Sequence, residues 1–567
     1  MFTIIAQRSK PLHSAFRRHV MTSIHIIGFA AAVLLTSAAP SWGTGSAVAP
    51  APKSLSAKVP LYTDLGSHHK PISTRVPAAQ QYFDQGLRFV YGFNHAEAIR
   101  SFKQAAELDP TCAMCYWGIA LAYGPHVNAP MDSASGVAAY AAAQKALALK
   151  SHATAHERAY IEAVAQRYEA VPATDRVRLD QSYSRAMERV AHTYADDLDA
   201  ATLYAESLMD LRPWNYWQPD GTPYPGTKEI VRQLKRVLSR NPNHPGACHY
   251  YIHAVEAVNP QAAVPCAERL AQLMPGEGHM VHMPAHIYIR VGRWNDAVQA
   301  NQHAIHSDEE FIEGQHPMGV YPLAYYPHNI HFLAFASTMA GRSAQAIEAS
   351  NTLTSKVNVD AARQVGMLQE MLPYHVLTLT TFGKWDEVLA EPLPPADIRF
   401  SYAMAHYARG VAHAAKGQWA EAQAALDTVT AINAATPNGT DGKTALSIAV
   451  HSLSGEIATR RGDLDEGTNY FRMAAKIEDA GLYFEPPKWY YPIRHSLGAA
   501  LLKAGRHAEA EKVYREDLRR FPENGWSLFG LAQALRAQGK NTEAAAAEAR
   551  FRQAWANTDV TLTASRF

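Results

Sequence analysis

From about residue 76 onward, apolar positions recur at helical spacing in short runs, and breaks containing Gly, Pro or Asn separate one run from the next. Residues 79–110 show the arrangement most fully. Numbered from Ala79 as position 1, Gly86 falls at position 8, Ala98 at 20, Phe102 at 24, Ala105 at 27 and Pro110 at 32. Small residues at 8 and 20 let two antiparallel helices approach closely, positions 24 and 27 fill the groove between them, and the proline closes the second helix. The same frame recurs at 278–306, 327–356, 403–434, 448–480, 491–522 and 525–555, where position 15 is Gly292, Gly341, Gly417, Gly462, Gly505 and Gly539. Weaker or interrupted copies cover 113–150, 154–194, 198–242, 244–275 and 369–390. No alternating stretch of useful length suggests a strand, so the pattern predicts an all-α fold of stacked helix pairs.

The agreement of several offsets at once resembles the tetratricopeptide repeat (TPR), a 34-residue helix–turn–helix unit. The resemblance implies a right-handed superhelix (solenoid) of about twelve helix pairs with a concave binding groove. On that frame the chain divides into N-terminal repeats over 76–242, histidine-rich repeats over 243–358 and C-terminal repeats over 359–567. Two segments depart from the frame, 211–226 and 307–326, both rich in Pro, Gly and aromatics. Insertions in a solenoid tend to lie on one face, often the binding face. Trp214, Trp217, Tyr325 and Tyr326 would be wasteful in water, which favours that placement.

The start of the chain has a different composition. Arg8, Lys10, Arg17 and Arg18 precede an apolar run at 26–35 and the triplet Ser41-Trp42-Gly43. A basic segment, a short apolar core and small residues near a cut site predict a secretory signal over 1–43, too short to span a bilayer comfortably. Residues 44–75, rich in Pro, Ala, Ser and Lys, are expected to form an extended lead-in. The mature chain should then be periplasmic or secreted, with no stable membrane span.

Composition changes the picture at one point. The 567 residues carry Lys+Arg 53 against Asp+Glu 52, so no global basic field invites nucleic acid. There are only 4 cysteines but 27 histidines, and eleven of those lie between His244 and His331. In the 278–306 repeat His279, His282 and His286 occupy positions 2, 5 and 9. His328 and His331 take positions 2 and 5 of the 327–356 repeat, and His249 and His253 take 5 and 9 of the preceding one. Glu256 falls at 12 and Glu206 at 9 of its own pair. By resemblance, positions 2, 5, 9 and 12 of the first helix line the groove. Imidazoles from neighbouring helices, about 8–10 Å apart, can then converge.

His249-x3-His253 and His282-x3-His286 are also the spacing by which one helix supplies two metal ligands. The expected ligands are therefore His249, His253, Glu256, His279, His282, His286, His328, His331 and Glu206. Tyr250, Tyr251, Tyr288, Arg290 and Tyr326 are near enough in sequence to support them. Imidazole with carboxylate suits a divalent transition metal, with copper or zinc favoured and iron or manganese also compatible. Glu206 or Glu256 could act as a ligand or as a general base for metal-bound water. His406, His413 and His451 fall at core positions and read as structural, and His68-His69 as solvated.

Cys248 and Cys266 fall at positions 4 and about 23 of one helix pair, which antiparallel packing brings together. A disulfide is expected there, with Cys112-x-x-Cys115 structural. The late segment 485–495 repeats the Tyr-Tyr-Pro of 325–327 and places His495 at a groove position, either over the groove or far from it. The motifs YFDQGL at 82–87, CAMCYWG at 112–118 and HMPAH at 282–286 make the mature chain resemble exported bacterial tetratricopeptide-repeat proteins. That resemblance implies the superhelix but brings no reaction with it. Two functions fit the residues: a His/Glu metal site in the groove, with or without catalysis, or a metal-free scaffold binding a peptide or an envelope protein.

Overall fold

The computed structural model describes residues 59–315, 321–363, 366–440 and 442–567. The signal expected over 1–43 and the first part of the lead-in lie outside them. Among the described residues the architecture is all-α: helices follow one another in antiparallel pairs, each packed on its sequence neighbours, as Pro77–Tyr91 packs on His95–Leu108 and that helix on Ala113–Ala122. The pairing continues through Asn541–Ala554, the arrangement of a tetratricopeptide-type solenoid.

Local chemistry explains why the breaks fall where they do. The six glycines at position 15 all adopt positive φ, between 72° and 99°, so each turn uses a conformation that costs other residues strain. Several helix starts are capped by side chains: Asn94 accepts from Glu97 N, and Thr154 with Glu157 forms a reciprocal capping box. Close approach between helices is as tight as the frame predicts. A Cβ on Gly86 or Gly118 would lie 2.7 or 2.5 Å from the Phe102 ring. The device repeats in the last repeats, where a Cβ on Gly498 or Gly530 would come within 2.3 or 2.2 Å of Tyr514. An aromatic at position 24 is thus seated between the glycine at position 8 of its own repeat and a glycine at position 6 of the next.

Three long-range features place the site. The lead-in residues from 59 onward are not a free tether: Tyr82 Oη donates to Val59 O at 2.7 Å, Gly276 N to Asp64 O at 2.9 Å, and Lys70 N to Asp84 Oδ1 at 3.0 Å. The array also closes on itself. Trp294 Nε1 donates to Pro522 O at 2.9 Å and Trp526 Nε1 to Thr338 O at 3.0 Å, joining the last repeats to the histidine-rich ones. Finally, the C-terminal residues return inward, with the Arg566 guanidinium 4.2 Å from the centre of the Tyr491 ring and Ser565 bonded to Tyr514. Closure buries a face that the frame alone presents as an open groove.

The cysteines differ from expectation. Cys112 and Cys115 form a disulfide at a helix start, while Cys248 and Cys266 are buried free thiols. The helix pair does bring the latter two together, and a hydrogen bond between them pushes the Cys248 thiol up, with burial adding to it. His406, His413 and His451 are half-buried rather than core residues.

Candidate metal centre

Three first helices carry the candidate imidazoles. His249 and His253 sit on Pro245–Val255, and His279 and His282 on Gly278–His282. His286 sits on Pro284–Val291, which continues the previous helix through Met283, and His328 on Tyr326–Met339. Prolines at the starts of three of these helices occupy positions where a missing N–H costs nothing. The six imidazoles fall into two groups whose ligand atoms all lie within 4.8 Å of one another: His249, His253 and His279, and His282, His286 and His328. Five of the six are at most 3% exposed and His328 is 8% exposed.

The two i,i+4 pairs repeat one geometry. His249 Nε2 and His253 Nε2 stand 3.1 Å apart, and His282 Nε2 and His286 Nε2 stand 2.9 Å apart. The outer nitrogens are already engaged. His249 Nδ1 faces Tyr91 O at 2.6 Å, and a carbonyl can only accept, so Nδ1 carries the proton and Nε2 presents a lone pair. His282 Nδ1 faces Asn301 Oδ1 at 2.7 Å, and Asn301 Nδ2 donates to Ala297 O at 2.7 Å, which fixes the amide orientation. His282 Nε2 is therefore bare as well. Ligands held ~2.0–2.1 Å from a tetrahedral ion lie about 3.3 Å apart, close to both separations. His279 adds to this: it is 1% exposed and neither of its ring nitrogens has a hydrogen-bond partner among the described residues.

Carboxylates surround these rings without entering the two groups. Glu256 Oε1 is 3.3 Å from His253 Nδ1 and its Oε2 is 2.9 Å from His286 Nδ1, so one carboxylate supports one imidazole of each triad. Glu485 Oε2 also lies 2.9 Å from His286 Nδ1, with Arg290 Nε 3.9 Å from its other oxygen. Burial opposes charge on His286, yet Glu256 and Glu485 raise it to about 9. Burial works against Glu256 as well, and His286 and His253 hold it down to about 2. Burial and then the Glu256 charge push Glu485 up to about 7. Glu256, His253 and His286 could themselves hold an ion through Nδ1, but that choice leaves the facing Nε2 pairs without a cation.

Several expected residues lie elsewhere. His331 points its ring at Tyr374, 4.3 Å between centres, and joins no ligand group. Glu206 shares a buried cluster with Asp210 and Arg167; burial raises its carboxyl and the Arg167 charge lowers it. Arg167 pairs with Asp210, and Asp210 in turn bonds Glu206, so that carboxylate belongs to this cluster and joins no imidazole group. Tyr288 packs beneath Arg293, and Tyr326 Oη donates to Glu309 at 2.7 Å, so neither supports the centre. Tyr250 does lie beside His249, 5.4 Å between ring centres, and Arg290 reaches the centre through Glu485. His495 bonds Asp517 at 3.2 Å within the C-terminal repeats. His68 is packed, not solvated: its Nε2 is 2.9 Å from Asp199 Oδ1, and His244 Nε2 is 3.3 Å from the same oxygen. His69 faces Asp84 at 2.7 Å with its ring half-exposed.

The aromatic insertions do reach the centre. Trp214 stands edge-on to His253 at 4.9 Å, Trp217 Nε1 donates to Ala254 O at 2.8 Å, and Tyr325 lies 4.5 Å from His279. Phe332 adds a wall 4.7 Å from both His282 and His286. Sequence reasoning missed Asn301, Glu485 and Phe93. Phe93 lies 4.5 Å from His249 and 6.0 Å from His253 between ring centres. It occupies position 15 of the first repeat, where six other repeats carry glycine, and its φ is 57°. A phenylalanine held in a glycine conformation at that turn was the available signal.

No protein-family model and no curated protein sequence matches the chain. Solved helical structures are similar at low level: the human IFIT1 dimer with m7Gppp-AAAA at TM-score 0.31 and 12% identity, covering 85% of this chain and 90% of that one. Yeast Tom70 gives TM-score 0.28 and 12% identity over 86% and 93%, and a monomeric IFIT1 mutant with Gppp-AAAA gives 0.30 and 11% over 86% and 92%. Similarity of this size assigns neither a family nor a function.

Proposed function

We propose that this chain is an exported helical-repeat protein whose interior holds a transition-metal centre ligated by His249, His253, His279, His282, His286 and His328. The observation that carries the reading is the facing of Nε2 atoms at 3.1 and 2.9 Å on rings whose outer nitrogens are occupied. Two lone pairs at that distance repel unless a cation lies between them, and a metal ion relieves both pairs at once where a proton on His286 relieves only the second. A metal-free scaffold for a peptide or envelope protein gives no reason for six buried imidazoles, including one with neither nitrogen satisfied, since such groups are costly in a dry interior. Copper or zinc suits the all-nitrogen set better than iron or manganese, which take carboxylate more readily. Export is supported by the N-terminal pattern of residues 8–43 and by the Cys112–Cys115 bridge, because disulfides persist in oxidising compartments. Among the described residues no helix is long and apolar enough to cross a membrane.

Elemental analysis of tag-free protein tests the reading. At least one transition-metal ion per chain is expected, lost on changing His253 and His282 together to Ala. Metal far below one ion per chain, unaltered by that change, contradicts it.

A further inference from the structure

Resting on the metal reading above, we infer that the centre is a coupled pair of copper ions, one in each imidazole triad, that takes up dioxygen. The six rings divide into two complete sets instead of forming one cage. Within each set one helix supplies an i,i+4 pair and a neighbouring element supplies the third ring, His279 for the first and His328 for the second. The sets abut along two edges, His253 against His286 at 5.7 Å and His279 against His282 at 6.0 Å between ring centres. Glu256 spans the first edge, bonded to one imidazole of each set. An arrangement that doubles the ligand set, and shares its supporting carboxylate, is built for two ions side by side.

Charge and access narrow the ion and its ligand. Among the described residues Glu256 and Glu485 contact rings of the two triads, and Arg290 Nε lies 3.9 Å from Glu485. Two monovalent ions leave less buried charge unpaired beside these groups than two divalent ions would. Among the metals that imidazole suits, copper is the one with an ordinary monovalent state. Three protein ligands leave each ion an open position. Phe93, Trp214, Tyr325 and Phe332 wall the rings, which favours a small ligand at those positions. Two Cu(I) ions each give up one electron, becoming Cu(II), and dioxygen receives both to become peroxide held between them. No proton is consumed in that step.

The experiment loads full-length protein anaerobically with Cu(I), measures copper per chain, admits dioxygen and records electron paramagnetic resonance. Two copper ions per chain and little signal from the oxidised form are expected, because adjacent bridged Cu(II) ions cancel each other's spin. His279→Gln and His328→Gln, tested separately with circular dichroism as a folding check, should each hold one copper and show the signal of an isolated Cu(II). One ion per chain in the unaltered protein overturns the pair. Two ions giving two full isolated signals, or no oxidation on admitting dioxygen, overturn the coupled dioxygen chemistry. Preferential binding of two zinc ions from an equimolar mixture overturns the copper assignment. No metal of either kind overturns the underlying metal reading itself.

Discussion

His282 Nε2 and His286 Nε2 face each other at 2.9 Å one helical turn apart, and the far nitrogen of each ring is held from outside the pair, by Asn301 and by Glu256. Asn301 comes from the partner helix of the same repeat and Glu256 from the repeat before it. The pair is thus positioned by side chains on either side of its own helix.

Asn301 acts as a positioning residue for His282, so Asn301→Leu should weaken metal binding about 10–100-fold, the usual cost of losing an outer hydrogen bond to a ligand. Competition against a chelator of known affinity measures this, and helical circular dichroism should be unaltered. Equal affinity in the variant would show that the tautomer of His282 is not fixed by the amide.

Phe93 combines backbone strain with a wall position. Positive φ at a non-glycine costs about 1–3 kcal/mol, so Phe93→Gly relaxes the turn while removing a ring from beside His249 and His253. Metal should leave to excess chelator several-fold faster in the variant. Stopped-flow release at a fixed chelator concentration reads the difference, and identical rates would mean that the ring does not guard the centre.

Gly530→Ala tests the close approach that sets the repeat. Its Cβ would meet the Tyr514 ring at 2.2 Å, and overpacking of this kind costs about 1–3 kcal/mol, read as a lowered Tm. Adding Tyr514→Leu should recover part of the loss, a positive coupling that two unrelated sites would not show.

Asp308 gives a pH dependence with a definite sign. Burial pushes its carboxyl up to about 7 from 3.8, against the pull of hydrogen bonds from Tyr321 Oη and Asn329 Nδ2, both at 2.7 Å. The folded protein therefore keeps a proton that the unfolded chain releases between those values. Its contribution to stability is complete below pH 3.8 and is lost as pH rises toward 7. Denaturant unfolding of the metal-free protein should lose stability across that window, and Asp308→Asn should flatten the slope. Parallel slopes in the two proteins would contradict the assignment.

The helical frame was legible because it depends on local chemistry. Gly292, Gly341, Gly417, Gly462, Gly505 and Gly539 stand at the predicted turn with positive φ, and Gly86 packs on Phe102 as position 8 on position 24. Positions 2, 5 and 9 also named His279, His282 and His286 correctly as neighbours. What the frame could not carry is competition from distant residues. His331 shares its helix with His328 yet turns to Tyr374, and Glu206 bonds Asp210 in a cluster with Arg167. Glu485, about two hundred residues beyond His286, arrives only because the array closes through Trp294 and Trp526. Cys248 and Cys266 were placed together correctly by antiparallel packing, but contact did not become a bond.

Anomalous diffraction from crystals of the full chain, recorded on both sides of the copper and zinc absorption edges, tests the central claim most directly. The account predicts metal peaks within bonding distance of the Nε2 atoms of His249 and His253 and of His282 and His286. Well-ordered imidazoles with no anomalous peak between them, after growth in the presence of copper and zinc, would contradict it.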